Sequence, residues 1–508
     1  MSSPVHALFA ASHRVHFIGV GGIGMSGIAE ILLTMGYAVS GSDLRAGPAT
    51  ERLAGLGAVI HVGHAAENVV GSDVVVTSSA VAKDNPEVVE ARARKIPVIQ
   101  RAEMLAELMR LKYGIAVAGM HGKTTTTSMV AAVLAGGGLD PTVVVGGRVG
   151  AMGSNARLGK SQYLVAEADE SDRSFLKLSP VLAVVTNLDR EHMESYAGMQ
   201  DVENCFVEFM NKVPFYGAVT ACVDEALLRG ILGRVKRRVY TYGVAAEADF
   251  RLEIVESERR SVVPAHGDDE AVSMNGAPGD GEAVVLNGAP GFAQFYVVAR
   301  GERLGPFALH VPGRHNVLNA TAAVAIGVQL GMETEQIAAG LASFRGVDRR
   351  FQVRGVAAGV TVVDDYGHHP TEIRATLQAA KECGSGRVLV LFQPHRFTRT
   401  RDLMEDFAGA FALADAVEVL YIYAASEEPI AGVTGERLAA AVGKQKGGGV
   451  GYAASMAEGV ARLVKAARPG EMVLTLGAGS VSQAAGMVLE GLKSREGQGK
   501  AGKAGDRE

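Results

Sequence analysis

The sequence has no tryptophan, three cysteines and no long apolar run. The missing tryptophan excludes no class of protein. Cys205, Cys222 and Cys383 lack CxxC spacing, which argues against a disulfide framework or a zinc ribbon and fits a reducing compartment. No stretch has the ~18 apolar residues of a membrane-spanning helix, and MSSPVHALFAASHRV at the start lacks the basic and apolar regions of a signal peptide. We therefore expect a cytoplasmic protein with no membrane partner.

Charge of one sign is not in large excess either. The net charge is −5 over 508 residues, so the broad basic surface that binds nucleic acid or anionic lipid is not expected. No nucleic-acid partner is predicted, and an anionic ligand has to be bound by a local site. Hydrophobic residues make up 48% and charged residues 21% of the chain, which is typical of a globular protein with large cores.

Short β-branched segments alternate with helical patterns in three successive parts of the chain. Such alternation is typical of parallel sheets with crossover helices, so we predict an α/β protein of three domains. The prediction places an N-terminal Rossmann-like domain at 1–112, a central P-loop ATPase-type parallel-sheet domain at 113–344 and a C-terminal Rossmann-like α/β domain at 345–492. The polar, Gly/Lys-rich tail at 493–508 is predicted to be disordered.

A short internal repeat interrupts the central domain. AVSMNGAPGDGE at 271–282 nearly repeats as AVVLNGAPGFAQ at 283–294. Glycine, proline and asparagine at this period are compatible with two turns of a hairpin meander or with a duplicated surface insertion, of which we favour the insertion. No chemistry is assigned to the repeat.

The segment AGMHGKTTTT, at 118–127, joins an apolar strand to a helix through a glycine turn. In such a turn, backbone N–H groups and the helix N-terminus converge on a phosphate chain. Lys123 then reaches the β- and γ-phosphates, and Thr124 binds Mg²⁺. The spacing departs from GxxxxGK[ST], because Val117 stands where the first glycine is expected. Four successive threonines are poor residues for a helix interior, which favours phosphate binding over a chance match.

Acidic residues follow the next apolar strand, in VAEADESDRSFL at 165–176. Open α/β sheets bind ligands at the carboxyl ends of their strands, and Mg²⁺ prefers oxygen donors. The candidate metal ligands are Glu167, Asp169, Glu170 and Asp172, with a solvated acidic loop as the alternative. A further strand is followed by VVTNLDREHMESY, in which a lone histidine is more often structural than a ligand. The neighbouring phosphate loop nevertheless makes Asn187 and His192 candidates.

The third domain carries VDDYGHHPTEI at 363–373 and QPHRFTRTRD at 393–402. Arg396 and Arg399 suit a carboxylate, because guanidinium groups pair with it bidentately. Adjacent histidines after a strand suit the positioning of an amine. A plain surface loop is the alternative for either segment alone.

Near the N-terminus, GVGGIGMSG satisfies G-x-G-x-x-G at Gly19, Gly21 and Gly24. Asp43 follows at the distance expected of a ribose-binding acid. This pattern alone is compatible with NAD binding or with a glycine turn of purely structural use.

Taken in order, these segments resemble the Mur ligase family of peptidoglycan synthesis, whose members are ATP-dependent amide-forming enzymes with three α/β domains. The resemblance extends over about residues 15–435 and rests on IGVGGIGMSGIAEIL, VSGSD, GMHGKTTTT, EADESD, EHM, GRHNVLNA, GVDRRF, DDYGHHPTEI, QPHRFTRT and YAASEEPI. One departure follows, since Ser480 in LTLGAGS stands where the family pattern leads us to expect an acidic residue.

The resemblance implies that the partners are ATP, Mg²⁺, UDP-N-acetylmuramate and L-alanine. ATP phosphorylates the lactyl carboxylate of the sugar nucleotide, and the alanine amine then displaces phosphate to form an amide. This order makes chemical sense, because a carboxylate is a poor acceptor for an amine until its oxygen becomes a good leaving group. A monomer or a weak homodimer is expected. If ATP contacts two domains, the site is complete only when they close.

The resemblance also implies which residues act at each site. Catalysis is expected of Lys123, Glu167 and His192, and metal binding of Thr124, Glu167 and His192. The ATP site is expected at Gly119, Met120, His121, Gly122, Lys123, Thr124, Thr125, Asn316, Arg350 and Asp365, with Tyr366 beside it. The alanine site is expected at His368, Arg396 and Arg399. The first glycine loop then binds the diphosphate of UDP rather than NAD, in a site formed by Gly19, Gly21, Gly22, Ile23, Gly24, Ser42, Asp43, Ser78 and Ser79.

Three alternatives remain at this point. A ligase that attaches a preformed peptide to the same sugar nucleotide shares the loops of the first two domains. An NAD-dependent dehydrogenase uses the first glycine loop but leaves GMHGKTTTT unexplained. A nucleotide-sensing protein without catalysis has no need of Lys123, Glu167 and His192 together.

Overall fold

The computed structural model describes residues 13–78, 80–149, 154–254, 293–384 and 386–505. Ser79, all but the end of the 271–294 repeat, and residues 506–508 lie outside this part, as does the side chain of Ile23. What the sequence predicts for them remains a prediction.

The first sheet has five parallel strands in the order β3-β2-β1-β4-β5. Its strands are β1 Arg14–Ile18, β2 Ala38–Asp43, β3 Val59–Val62, β4 Val74–Thr77 and β5 Val98–Gln100. The helices that alternate with them are α1 Ile23–Thr34, α2 Pro48–Gly55, α3 Pro86–Ala93 and α4 Arg101–Arg110, with a 3₁₀ turn at Ala66–Val69. Proline in the first turn favours the start of α2 and α3, and the Asn85 side chain caps α3.

The strand order reverses at β1, because β2 lies on one side of it and β4 on the other. A reversal of this kind opens a crevice at the carboxyl ends of the two strands, where open α/β sheets bind ligands. The loop after β1 is the glycine loop. Its placement follows from the buried apolar residues of β1, which lie between helices on both faces of the sheet.

The second sheet has ten strands in the order β15-β14-β13-β12-β11-β10-β6-β9-β7-β8. They are β6 Tyr113–Ala118, β7 Thr142–Val149, β8 Ser154–Arg157, β9 Tyr163–Glu167, β10 Leu182–Val185, β11 Ala218–Cys222, β12 Val239–Gly243, β13 Phe250–Ile254, β14 Ala293–Ala299 and β15 Glu302–Leu309. Its helices are α5 Lys123–Gly136, α6 Met199–Asn211, α7 Ala226–Ile231, α8 Arg314–Gln329 and α9 Thr334–Ser343, with 3₁₀ turns at Ser174–Lys177 and Leu232–Arg234.

Strand β6 lies in the middle of the second sheet, in parallel with β9 on one side and β10 on the other. Its residues from Ile115 to Ala118 are fully buried, which matches an apolar strand with helices on both faces. Helix α5 starts directly after its glycine loop and packs against α8 and α9. The carboxyl ends of β6, β9 and β10 therefore meet at one edge, and the predicted phosphate loop and acidic segment both follow from that edge.

The third sheet has six strands in the order β16-β17-β21-β18-β19-β20. They are β16 Gln352–Ala357, β17 Val360–Asp365, β18 Val388–Phe392, β19 Ala416–Val419, β20 Val450–Tyr452 and β21 Met472–Leu476. Its helices are α10 Pro370–Glu382, α11 Phe397–Asp402, α12 Met404–Ala408, α13 Gly435–Lys446, α14 Met456–Ala466 and α15 Ala484–Gly505, with a 3₁₀ turn at Ser480–Gln483. Strand β18 is buried throughout and pairs in parallel with β19 and β21.

Helix α15 corrects one expectation. The tail was predicted to be disordered from residue 493, but the helix continues through Gly505. Arg495 donates to the carbonyl oxygens of Val464 and Ala467. These bonds connect the middle of α15 to the end of α14, so the polar composition of the tail does not decide its conformation.

By internal packing the chain divides into two compact units. One holds the first two sheets, with residues up to Glu253, Phe295–Gln352 and Asp364–Tyr366, and the other holds Val353–Val363 and the residues from Gly367 onward. None of the helices described is long and apolar enough to cross a membrane. The predicted α/β class, with a largely parallel sheet in each of three segments, is confirmed.

Candidate active site

The glycine loop after β1 is held by strand β2. The N–H groups of Gly19 and Val20 donate to the carbonyl oxygen of Ser42 at 2.8 and 2.9 Å. The N–H of Gly21 donates to Oδ2 of Asp43 at 2.9 Å. The loop is therefore preformed, with helix α1 starting at its end, and the N-terminus of a helix attracts an anion.

A cavity of about 820 Å³ lies over this loop. The predicted nucleotide-sugar residues that line it are Gly19, Gly21, Gly22, Gly24, Asp43 and Ser78. The cavity is also lined by Arg45, His64 and Arg101, which the sequence patterns did not single out. Its size suits a small-molecule ligand.

Ser42 does not line the cavity as predicted. It is fully buried, and its hydroxyl donates to Oε2 of Glu87 at 2.6 Å. Strand residues alternate between the two faces of a sheet, so the side chain next to Asp43 points to the opposite face. Ser42 acts on the loop through its backbone carbonyl.

Glu87 is the centre of a buried polar cluster behind the loop. Besides Ser42, its carboxylate contacts Nδ2 of Asn68 at 2.6 Å, Nδ1 of His64 at 3.2 Å and Nε2 of His16 at 3.7 Å. Burial favours the neutral acid, but the neighbouring His16 imidazole and the hydrogen bonds from Ser42 and Asn68 outweigh it and lower the pKa of Glu87 to about 2. The carboxylate is therefore ionised and connects β1, β2 and the cavity residue His64.

The second glycine loop, Gly119 to Gly122, lies between β6 and α5 and is fixed by β10. A Cβ at Gly119 would lie 2.0 Å from Oγ1 of Thr186, and the backbone there has φ +131°. Only glycine fits such a position. The Thr186 hydroxyl donates to the carbonyl oxygen of His121 at 2.7 Å, and Oδ1 of Asn187 accepts the N–H of His121 at 2.8 Å. Asn187 thus supports the loop through the His121 backbone.

Lys123 starts α5 and directs its ammonium group back across the loop. Its Nζ donates to the carbonyl oxygens of Gly119 at 2.8 Å and Met120 at 3.0 Å, and to Oε1 of Glu170 at 2.7 Å. Burial by itself lowers the pKa of Lys123, but the charges of Glu170 and Glu167 hold it above its usual value. The amine is a permanent cation within the loop.

Thr124 and Glu167, two of the predicted metal ligands, lie together. The Thr124 hydroxyl donates to Oε2 of Glu167 at 2.9 Å, and the same oxygen accepts the N–H of Gly146 at 2.7 Å. Glu167 is the last residue of β9, next to β6 in the sheet. The parallel pairing of these strands brings the two residues together, although 43 positions separate them in the sequence.

Glu170, another of the four candidate metal ligands, is the partner of Lys123. It is fully buried, and its Oε2 has no hydrogen-bond partner among the described residues. Burial is the largest effect on this carboxyl and raises its pKa to about 7, against the opposing charge of Lys123. A buried carboxylate oxygen with no partner is suited to a cation, and carboxylate oxygens are the ligands that Mg²⁺ prefers. The donor set therefore fits a magnesium ion.

His192 lies near the same pair. Its Nε2 is 3.8 Å from Oε1 of Glu170 and 3.8 Å from Oε1 of Glu191. His121 within the loop is 2.9 Å from Oδ2 of Asp189 through its own Nε2. The segment after β10 thus brings the carboxylates of Asp189 and Glu191 close to His121 of the phosphate loop, and the His192 imidazole close to Glu170.

Asn316, in the first turn of α8, donates to the carbonyl oxygen of Pro312 at 2.6 Å. One turn further on, Asn319 donates to Asn316 at 3.5 Å. A Cβ at Gly122 would lie 2.9 Å from Oδ1 of Asn319. Asn319 therefore contacts the phosphate loop itself, a placement that the sequence patterns missed.

Arg350 and Asp365 belong to the same compact unit as the phosphate loop. Oδ2 of Asp365 accepts the N–H of Phe351 at 2.6 Å. The guanidinium groups of Arg349 and Arg350 lie 5.0 and 5.1 Å from the ring centre of Tyr366. Arg349 and Arg350 thus both lie over the ring of Tyr366, the residue after Asp365.

In the other unit, the histidine and arginine segments of the third domain lie side by side. The rings of His368 and His395 are 5.7 Å apart, and His395 stacks on Tyr423 at 5.6 Å. Nη1 of Arg399 lies 3.2 Å from Nδ1 of His395. Arg396 is the residue before α11 and donates its N–H to the carbonyl oxygen of Tyr423 at 2.9 Å. His395 thus contacts both His368 and Arg399. The sequence patterns did not single out His395.

Ser480, the departure from the family pattern, has an internal partner. Its Oγ lies 3.3 Å from both polar atoms of the buried Gln393 side chain. Oε1 of Gln393 also accepts the N–H of Val481 at 3.0 Å. Ser480 therefore connects the loops after β18 and β21.

Three regions of the chain match models of the same family. Residues 14–113 match the model described as "Mur ligase family, catalytic domain", residues 117–327 "Mur ligase middle domain" and residues 349–479 "Mur ligase, glutamate ligase domain". The matches follow the order of the three sheets.

Individual relatives agree with these models. The chain is 61% identical over 488 residues to the UDP-N-acetylmuramate–L-alanine ligase of Acidobacterium capsulatum, covering 96% of this chain and 99% of the relative. It is 59% identical over 489 residues to the ligase of that name from Koribacter versatilis, with 96% and 99% covered. The crystal structure of UDP-N-acetylmuramate-alanine ligase from Thermotoga maritima is similar with a TM-score of 0.72 and 29% identity, over 95% of this chain and 99% of that one. The resemblance found in the motifs is confirmed, and the chain belongs to the Mur ligase family.

Proposed function

We propose that this protein joins L-alanine to the lactyl carboxylate of UDP-N-acetylmuramate, with ATP converted to ADP and phosphate, in peptidoglycan precursor synthesis. The observation that carries the proposal is the cluster at the second glycine loop, where Lys123, Thr124, Glu167 and Glu170 lie within hydrogen-bond distance of one another in pairs. The names of the relatives support the substrates. Since both nucleotides are cytoplasmic metabolites, we place the reaction in the cytoplasm.

The first step is phosphoryl transfer. A lactyl carboxylate oxygen attacks the γ-phosphorus of ATP, the bond to the β,γ-bridging oxygen breaks, and an acyl phosphate and ADP form. Lys123 stabilises the charge on the transferred group, because its ammonium is fixed at the loop that receives the phosphates. The main work of the protein in such a step is positioning and charge neutralisation.

We assign the phosphates of ATP to the backbone of the loop and the start of α5, formed by Gly119, Met120, His121, Gly122, Lys123, Thr124 and Thr125. The base, phosphate and ribose are assigned to the neighbourhood of Asn316, Arg350 and Asp365. Thr124, Glu167 and His192 would hold Mg²⁺, with Oε2 of Glu170 as a further oxygen. When bound, the ion neutralises phosphate charge and polarises the phosphoryl group.

The second step is amide formation. The neutral amine of alanine attacks the acyl carbon, the bond to the phosphate oxygen breaks, phosphate leaves and the nitrogen loses a proton. We assign the alanine carboxylate to Arg396 and Arg399, since two guanidinium groups suit it. His368 is assigned to the positioning of the amine. The sugar nucleotide is assigned to the cavity over the first glycine loop, with its diphosphate at the N-terminus of α1.

The test is a coupled assay of ADP release with purified protein, ATP, Mg²⁺ and UDP-N-acetylmuramate, in which L-alanine and a tripeptide are compared as acceptors. The proposal expects ADP release that requires alanine and the sugar nucleotide. Faster turnover with the tripeptide would instead support a ligase for preformed peptides. Absence of alanine-dependent ADP release would refute the proposal.

A further inference from the structure

Arg101 occupies a position between the two glycine loops. It is the first residue of α4, directly after β5, and it lines the cavity over the first loop. A Cβ at Gly24 would lie 2.6 Å from Nη1 of Arg101. The guanidinium group therefore lies directly against the first turn of α1, where an anion is favoured by the free N–H groups and the helix dipole.

The partner of Arg101 comes from the acidic segment of the middle domain. Nη2 of Arg101 lies 3.3 Å from Oδ2 of Asp169. The other oxygen of Asp169 accepts the N–H of Ser171 at 3.1 Å and its hydroxyl at 2.6 Å. The next residue in the chain is Glu170, which binds Lys123. Two consecutive acids thus contact two cations, Arg101 at the start of α4 and Lys123 at the second glycine loop.

The contact between Arg101 and Asp169 involves only one nitrogen of the guanidinium group. It is a single contact rather than a bidentate pair, and Nε and Nη1 have no hydrogen-bond partner among the described residues. The Arg101 side chain is 28% exposed. A fork of N–H donors that faces a cavity and is oriented by one carboxylate is the arrangement that binds an oxyanion.

We propose that Arg101 binds the diphosphate of the sugar nucleotide and that Asp169 is the positioning residue that orients its guanidinium group. The inference rests on the proposed function. A diphosphate diester carries two negative charges, and the glycine loop offers it only backbone N–H groups and a helix terminus worth roughly half a charge. Arg101 supplies the full positive charge beside Gly24, and its contact with Asp169 orients the guanidinium group.

The proposal is tested by binding, which does not require turnover. Calorimetry compares UDP with uridine for the wild type, Arg101→Gln, Arg101→Lys and Asp169→Asn, with Arg110→Gln as a matched control. Arg110 lies on the same helix, is 60% exposed and pairs with Glu107. A charge-assisted hydrogen bond is worth about 1.5–3 kcal/mol, so Arg101→Gln is expected to weaken UDP binding by about 10- to 150-fold. Uridine binding is expected to stay unchanged. The UDP affinity of Arg101→Lys is expected to lie between those of the wild type and Arg101→Gln, because an ammonium group keeps the charge but lacks the planar set of N–H donors of a guanidinium group.

Kinetics provide the second readout. Arg101→Gln is expected to raise KM for UDP-N-acetylmuramate by the same factor as it weakens UDP, with KM for ATP and for alanine unchanged. Asp169→Asn is expected to give a smaller loss of UDP affinity, since it frees the guanidinium without removing it. If Arg101→Gln does not fold, the ratio of UDP to uridine affinity in Arg101→Lys decides.

Two results would overturn the inference. Equal losses of UDP and uridine affinity would show that Arg101 serves only the packing of α4 on the acidic segment, and unchanged UDP binding would show that the diphosphate lies elsewhere. Both are distinguishable from failure of the proposed function, because that failure is an absence of alanine-dependent ADP release in the wild type while Arg101-dependent UDP binding persists.

Discussion

The Nζ atom of Lys123 lies 2.7 Å from Oε1 of Glu170, a carboxylate with no exposed surface. The other two N–H donors of this lysine are bonded to carbonyl oxygens of its own loop. All three donors are therefore satisfied before a nucleotide binds. For the ammonium to reach a γ-phosphate, at least one of these bonds has to be exchanged for a bond to phosphate. Glu170 is the carboxylate with which Lys123 forms its ion pair.

Replacing Lys123 with alanine is expected to abolish ADP release. Loss of one preorganised charge at a developing anion costs about 10²- to 10³-fold in rate, and the loss of phosphate binding adds to it. The fold is expected to remain, because Glu170 is left to take up a proton in its buried position. Activity and a thermal melt measure the two effects, with Lys160→Ala, an exposed lysine of the same domain, as the control. Near-normal activity would contradict the assignment of the ATP phosphates to the second glycine loop.

Glu170 is expected to make the stability of the protein depend on pH. Its pKa is raised to about 7 in the folded chain and is near the ordinary glutamate value of 4.5 in the unfolded chain. The folded state therefore holds more protons between these values, so stability falls as pH rises from about 4.5 through 7. The full effect is at most roughly 3 kcal/mol, at about 1.4 kcal/mol per pKa unit.

This dependence is measured as the difference in Tm between the wild type and Glu170→Gln from pH 5 to pH 8. The wild type is expected to lose several degrees relative to the variant as pH rises, since about 1 kcal/mol corresponds to about 2–4 °C in a domain of this size. Parallel profiles would contradict the assignment of the raised pKa to Glu170.

Glu87 is expected to behave in the opposite way. Its pKa is lowered to about 2 in the folded chain, so its contribution to stability is complete above about pH 4.5 and is lost as pH falls toward 2. Glu87→Gln places an amide against the donor Asn68 and is expected to cost about 1–3 kcal/mol at pH 7. UDP binding is expected to weaken as well, because Ser42 holds the glycine loop through its carbonyl.

The check for Glu87 is a set of thermal melts between pH 3 and pH 8. The deficit of Glu87→Gln is expected to be constant above about pH 5 and to shrink below it. Glu90→Gln on the same helix, where Glu90 pairs with Arg94 on the surface, is the matched control. A deficit that does not change at low pH would indicate that the ionised carboxylate is not what stabilises the cluster.

Replacing Arg399 with lysine is expected to raise KM for alanine. The guanidinium is oriented by Nδ1 and the carbonyl oxygen of His395, and a lysine cannot pair bidentately with a carboxylate. The loss of one such charge-assisted bond corresponds to about 10- to 150-fold in KM at 1.5–3 kcal/mol. KM for ATP is expected to stay the same, and Arg401→Lys, which is exposed beside Asp402, serves as the control. An unchanged KM for alanine would indicate that the carboxylate of alanine does not bind at Arg399.

The sequence alone determined the α/β class, the two glycine loops and the family. These features are local. A glycine turn between a strand and a helix is encoded in about ten consecutive residues, and Lys123 and Thr124 need only helix geometry to face the same turn. Several of the parallel strands are equally visible, because buried strands are continuous apolar runs.

Only the tertiary structure sorted the four acids of the segment 165–176. In the sequence they are equivalent, but β9 ends at Glu167, which thus faces Thr124, while Glu170 is directed into the interior toward Lys123. Ser42 was misplaced for the same kind of reason, because the face of a strand to which a side chain points depends on register. Asn319, Asp189 and Arg101 carry no local signal at all. Their partners are distant in the chain, and packing rather than spacing brings them to the two loops.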